Sequence, residues 1–323
     1  MDSRVVVWIR EFLLRRKQRI RVGGHLSEEV RVTSGVPQGS VLGPLLFLAY
    51  VNDISRNIES PIRLFADDCV IYRKIINKKD IERLQKCLDR LGEWAVENAM
   101  KINPSKSKTV RFTSSRLRDP LDYSLANTLI PEASNCKYLG IILRSYLSWT
   151  DHVNYTVKKT WKVLNFTTRI LKKGNSNTKR LAYMSQVRPI LQYGAACWEG
   201  QVTALDRVEQ KAAKFAHQTN SSNWETLASS RKLPRICALF KAYSGERAWK
   251  SIGDRLQRPH YLSRVDHERK FRSRRQRTDT GKYSFVNRTI QDLNQIPAEV
   301  LGTLTCKLNT LRKRARNAII EVS

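Results

Sequence analysis

Two aspartates, Asp67 and Asp68, sit side by side in an otherwise apolar run, LFADDCVIY, at residues 64–72. At an effective dielectric of about 20, unit charges ~4 Å apart repel by roughly 4 kcal/mol, so the pair calls for a countercharge. The short apolar arms predict a tight β-hairpin that buries both arms and thrusts the two carboxylates out at its tip. The natural countercharge is a divalent metal bound through oxygen. Two magnesium ions ~3.5 to 4 Å apart are a device for in-line phosphoryl transfer. Aspartates at a hairpin turn are also commonly just solvated, so the pair alone is a weak signal.

The balance of charge sharpens it. The chain has 323 residues, with 59 Lys and Arg against 29 Asp and Glu, a net charge of +30 that points to a polyanionic partner, nucleic acid first. The bland alternative is a soluble protein with a basic face and no partner. A +30 chain with a paired-carboxylate tip suggests a nucleic-acid polymerase or nuclease. The stretch SGVPQGSVLGPLLF lies upstream, with Gly39 28 residues before Asp67. Its Gly35, Gly39 and Gly43 let backbone approach a bulky ligand, and Gln38 can hydrogen-bond a base or sugar edge. The structural alternative is a Gly/Pro-rich loop entering a buried helix.

Six scattered cysteines without a CxxC pair, and five scattered histidines, suggest neither a zinc site nor a disulfide framework. His152 is expected to be a packed or solvated side chain rather than a ligand. No apolar run reaches the ~18 residues of a membrane span, and the first residues lack a cleavable signal's layout, so nucleus and cytoplasm are the expected compartments.

Periodicity supplies the elements that must hold these residues. Helical spacing covers residues 5–14, the segment EEVRVTSGVPQGS is expected to be a strand entering a loop, and LLFLAYVNDI a helix buried on all sides. Asp80 is expected to cap a helix with a stripe through Ile81, Leu84, Leu88, Leu91 and Ala95, joined by Trp94. KTVRFTSS and CKYLGIIL read as strands. From about Asp151 the pattern is helical: residues 152–173, a segment broken at Pro189, and ALDRVEQKAAKFAHQ, with Trp149, Trp161 and Trp198 in the core. Ser222 and Glu225 form a possible capping box. Residues 255–277 look like a basic linker, and the run 312–316 either binds phosphates, acts as an import signal or is a solvated helix face.

Five segments together resemble one family: GVPQGSVLGPLLFLAYVNDI (35–54), FADDCVIY (65–72), LGEWAVENAMKINPSKSKTVRF (91–112), KYLGIIL (137–143) and RPILQYGAACW (188–198). Their order and spacing resemble the reverse transcriptases of non-LTR retrotransposons of the Jockey-like kind. The resemblance implies an α+β fold: a right-hand polymerase palm, an antiparallel sheet with packed helices, over residues 1–145. An all-helical thumb over 146–250 and a basic linker with a helical tail over 251–323 follow. It implies that Asp67 and Asp68 are catalytic and bind two Mg2+ ions, and that Pro37, Gln38 and Gly39 line the incoming nucleotide and template. Lys106 would assist the pyrophosphate leaving group, a surface lysine being the alternative. Leu139 and Gly140 match the primer-grip turn. The implied partners are an RNA template, a DNA primer and deoxynucleotides, with no membrane.

The family's palm also uses a third carboxylate on a strand well before the GVPQGS loop, with fingers around it. The acids ahead of Gly35 are Asp2, Glu11, Glu28 and Glu29, none in a hydrophobic strand context. The expectation is therefore an N-terminally truncated RNA-directed DNA polymerase, its upstream part missing. A noncatalytic nucleic-acid-binding remnant is the alternative, and a metal-dependent nuclease ranks last.

Overall fold

The computed structural model describes residues 2–113, 121–198, 202–216, 227–243 and 284–296, with shorter pieces among 256–281 and 310–315. The chain divides into two compact units: Met1–Thr109 with Arg118–Glu132, and Val110–Leu117 with Ala133–Ser323.

In the first unit, helix α1 (Ser3–Leu13) starts where the Asp2 carboxylate accepts the Arg4 N–H at 2.9 Å. Behind it β1 (Lys17–Gln18) pairs with β4 (Val30–Arg31), and β2 (Arg21–Val22) pairs with β3 (His25–Leu26). The strand expected through EEVRVTSG shrinks to those two residues of β4. Helix α2 (Leu42–Val51) forms where LLFLAYV predicts it, with Pro44 in its first turn, where a missing N–H costs nothing. It is not buried on all sides: Leu45, Leu48 and Tyr50 are exposed, because the unit covers only the side that carries Gly43 and Val51.

The hairpin β5 (Ile62–Phe65) and β6 (Asp68–Ile71) leads into α3 (Lys78–Glu97). Asn77, not Asp80, caps α3. Asn77 accepts the Asp80 N–H at 3.1 Å, and the Asp80 carboxylate returns the bond by accepting the Ile76 and Asn77 N–H groups, which hold it below the usual carboxylate range. The predicted stripe on α3 holds: Leu91 and Ala95 are buried, and Leu88 and Trp94 pack on the core formed with Ile54, Leu125 and Ile130. Leu125 and Ile130 come from a hairpin the sequence did not announce, β7 (Tyr123–Leu125) and β8 (Thr128–Ile130), turned by Ala126 and Asn127 with positive φ. The expected strand KTVRFTSS is irregular across 110–113, with an isolated bridge from Thr109 to Glu132 and a bond from the Thr113 N–H to the Ser145 carbonyl at 3.1 Å.

The second unit begins with the hairpin β9 (Asn135–Tyr138) and β10 (Ile141–Arg144). Helices α4 (Thr150–Ile170), α5 (Ser176–Ala182), α6 (Arg188–Gln192) and α7 (Val202–Phe215) follow. The break expected at Pro189 appears as a π-type turn, Tyr183–Val187, just before the proline at the start of α6. Leu164, Val187, Leu191, Trp198, Leu205 and Val208 form the core, with Trp149 and Trp161 packed against it, as their aliphatic neighbours in sequence imply. A further apolar cluster joins α8 (Leu227–Tyr243) to α9 (Phe285–Asn294), pinned by an Arg235 to Asp292 ion pair at 2.8 Å. The possible capping box at Ser222 and Glu225 lies outside the described residues.

All strand pairings among the described residues are two-stranded and antiparallel rather than parts of one larger sheet. The chain is thus a mixture of helices and small antiparallel sheets.

Candidate metal centre

The hairpin tip places the aspartates as the sequence predicts. Phe65 pairs with Asp68 across the ladder, leaving Ala66 and Asp67 as a two-residue turn. Ala66 has φ +51°, a left-handed conformation that alanine adopts only at a cost of roughly 1 to 2 kcal/mol. The register puts Asp67 in the turn and Asp68 at the first ladder position. Both are exposed, and among the described residues neither carboxylate has a hydrogen-bond or ion-pair partner. The arms are less buried than expected: Ile62 and Ile71 pack on the core, while Leu64, Phe65 and Cys69 are exposed. With no third strand in the ladder among the described residues, only the end of the hairpin nearest α3 is covered. No group of three or more His, Cys, Asp or Glu gathers among the described residues. Two adjacent, unpartnered carboxylates nevertheless fit a magnesium ion, which is commonly held by one or two carboxylates together with substrate phosphates and water.

The PQGS loop is built by residues whose role the sequence alone did not disclose. The Ser40 hydroxyl donates to the Pro37 carbonyl at 2.8 Å and accepts the Gly43 N–H at 2.9 Å, so it closes the loop and satisfies an open donor of α2. Gly43 admits no side chain, since a Cβ would lie 2.9 Å from the Pro37 oxygen. Arg16 ties the loop's entry to the end of α1, its guanidinium donating to the Leu13, Ser34 and Gly35 carbonyls at 2.9, 3.2 and 2.5 Å. These bonds leave Gln38 and Gly39 exposed on the loop, Gly39 with φ +81° and Pro37 half-buried.

Lys106 ends a 3-10 turn, Pro104–Lys106, that Asn103 caps by accepting the Ser105 N–H and hydroxyl at 3.1 and 2.7 Å. The lysine is exposed. Among the described residues no hydrogen bond joins Lys106 or Gln38 to either aspartate.

In the second unit Leu139 and Gly140 form the turn between β9 and β10, with φ +46° and +78°. The Leu139 carbonyl accepts the Tyr193 hydroxyl at 2.8 Å. One strand further, the Ile142 N–H donates to Nδ1 of His152, which is a packed side chain at 2% exposure. Burial first, then the charges of Arg231 and Lys137, push its imidazole down to about 4. The folded histidine stays neutral to about pH 4, whereas the unfolded one takes a proton below about 6.5, so unfolding binds a proton in that window. Stability should therefore fall as pH drops from 6.5 to 4, by up to about 3 kcal/mol from this residue. Urea denaturation at pH 7 and pH 4.5 measures it, and in His152→Gln the loss between the two should shrink accordingly; an equal loss in both proteins refutes the assignment.

Residues 1–143 match the model of the family described as reverse transcriptase (RNA-dependent DNA polymerase). The matched span contains the aspartate hairpin, the PQGS loop, Lys106 and the 139–140 turn. Over this span the chain is similar to the reverse transcriptase family. The chain is similar to a probable RNA-directed DNA polymerase from transposon X-element of Drosophila melanogaster, 30% identical over 224 residues, which are 64% of this chain and 24% of that protein. It is also similar to the RNA-directed DNA polymerase from mobile element jockey of Drosophila funebris, 28% identical over 247 residues, 71% of this chain and 27% of that protein. The relatives are non-LTR retrotransposon proteins, and this chain spans about a quarter of their length. No helix among its described residues is long and apolar enough to cross a membrane.

Proposed function

We propose that the chain is part of an RNA-directed DNA polymerase that copies a retrotransposon RNA from a DNA primer. The observation that carries this reading is the pair of exposed, unpartnered carboxylates at the β5–β6 tip within a reverse transcriptase match. On this reading residues 1–145 belong to the palm, 146–250 to the thumb, and 251–323 to a basic linker and helical tail. Asp67 and Asp68 hold Mg2+, which when bound lowers the barrier to attack of a primer hydroxyl on a deoxynucleotide phosphate. Pro37, Gln38 and Gly39 face the nucleotide and template, Lys106 offers a proton or charge to the departing pyrophosphate, and Leu139 and Gly140 steady the primer end. The third carboxylate would come from the remainder of the polymerase. Action in the nucleus and cytoplasm follows from the template. Extension of oligo(dT) on poly(rA) with magnesium, by the chain alone and by the chain joined to an upstream polymerase segment, is the test; no extension in either form rejects the reading.

One observation favours a second reading, in which this stretch only binds nucleic acid: the net charge of +30 suits a polyanion with or without catalysis. In both readings the duplex lies against α4, whose exposed face carries Lys159, Lys162 and Arg169, with Arg169 5.9 Å from the exposed Phe166 ring. Replacing the three cations by alanine should flatten the log–log salt dependence of template–primer binding by about 2 to 3, at roughly 0.9 for each phosphate no longer neutralised. An unchanged slope would move the duplex off this face.

A further inference from the structure

The segment RPILQYGAACW has no role in the chemistry proposed above, yet the structure spends several specific bonds on it. Tyr193 follows α6 and its side chain is largely exposed, so burial does not explain a tyrosine there. Its hydroxyl donates to the Leu139 carbonyl at 2.8 Å, and its ring is so close to Gly140 that a Cβ there would lie 3.1 Å from Cε1. The Tyr193 carbonyl in turn accepts the indole N–H of Trp198 at 2.8 Å.

Trp198 is itself held on two sides, by the His152 ring at 4.5 Å and 87° and by the Arg231 guanidinium 4.2 Å from its ring. Arg231 also donates to the Leu191 carbonyl at the end of α6, at 2.8 Å, and His152 accepts the Ile142 N–H of β10. One buried tryptophan therefore anchors both attachments of the hairpin, at its turn through Tyr193 and at its strand through His152.

We infer that Tyr193 is a positioning residue that latches the turn of Leu139 and Gly140 to the helical unit and so sets where a primer terminus rests. The inference rests on the reading of that turn as the primer grip. Tyr193 acts through the turn and does not touch the primer.

Tyr193→Phe in the full chain removes the hydroxyl and keeps the ring. Amide hydrogen exchange at Gly140 and Ile141 should accelerate about five- to tenfold, as expected for one hydrogen bond, with α4 and α7 unchanged. Fluorescence anisotropy then compares a recessed primer–template with a blunt duplex of the same length. The parent should prefer the recessed end, and the variant should lose about fivefold in that preference at unchanged affinity for the blunt duplex. Unchanged exchange removes the latch. Faster exchange with an intact preference leaves a latch that positions nothing, which overturns the inference and spares the polymerase reading. A parent without any preference for the recessed end overturns the primer-grip reading and the inference with it, whatever the exchange shows.

Discussion

Asp67→Asn should lower magnesium-dependent primer extension by about a thousandfold, in whichever form of the polymerase shows it. A unit charge about 4 Å from another is worth roughly 4 kcal/mol at an effective dielectric near 20, more against a divalent ion, and that scale corresponds to three powers of ten in rate. The asparagine keeps the size of the side chain and, at an exposed turn position, should leave the hairpin folded, so lost activity reports lost charge. A second readout needs no turnover. If the carboxylates hold magnesium at ten times its dissociation constant, the ion adds about 1.4 kcal/mol to the stability of the parent chain. Thermal denaturation with and without magnesium should show that gain in the parent and lose it in Asp67→Asn. Equal extension and equal magnesium response in the two proteins would remove the aspartates from the site.

The largest stability effect is expected at Gly194, far from either carboxylate in sequence. Its φ of +66° is left-handed, which costs a substituted alanine roughly 1 to 2 kcal/mol. A Cβ would also sit 2.7 Å from Cδ1 of Ile141 and 3.3 Å from two atoms of the Trp198 ring. The isoleucine methyl can rotate away, but the buried tryptophan is fixed by its indole bond to the Tyr193 carbonyl. Overpacking of this kind typically costs about 1 to 3 kcal/mol, so Gly194→Ala should lose about 2 to 5 kcal/mol in all. At about 2 to 4 °C per kcal/mol for a unit of this size, the melting temperature should drop by roughly 4 to 20 °C. Gly39→Ala is the control: its φ is also positive, at +81°, but a Cβ there meets nothing within 4 Å, so only the backbone cost applies. Equal losses at the two glycines would mean that the approach to Trp198 carries no energy.

The candidate site was legible where its causes are local. A two-residue turn between short apolar arms suffices to bring Asp67 and Asp68 to a tip, because strand alternation and turn length act within a few residues. The α3 stripe through Leu88, Leu91 and Ala95 follows from helical spacing, whereas CKYLGIIL, which reads as one strand, folds as two around the left-handed pair at 139 and 140. The cap of α3 was misplaced by three residues, because Asn77 and Asp80 are both good capping residues. Only the reciprocal bonds show which one begins the helix and which answers it.

Sequence by itself thus determined the longer helices, the carboxylate tip and the basic charge that makes nucleic acid the expected partner. Tertiary structure decided which of those elements are covered and what holds the loops. Leu45 and Leu48 read as core and stand exposed, because burial depends on what packs against a helix and not on its own composition. Arg16 reaches Gly35 across 19 positions and Tyr193 reaches Leu139 across 54. Bonds of that range leave no periodicity to read, since they form only when separate elements have packed and brought an unpaired carbonyl within reach of a donor.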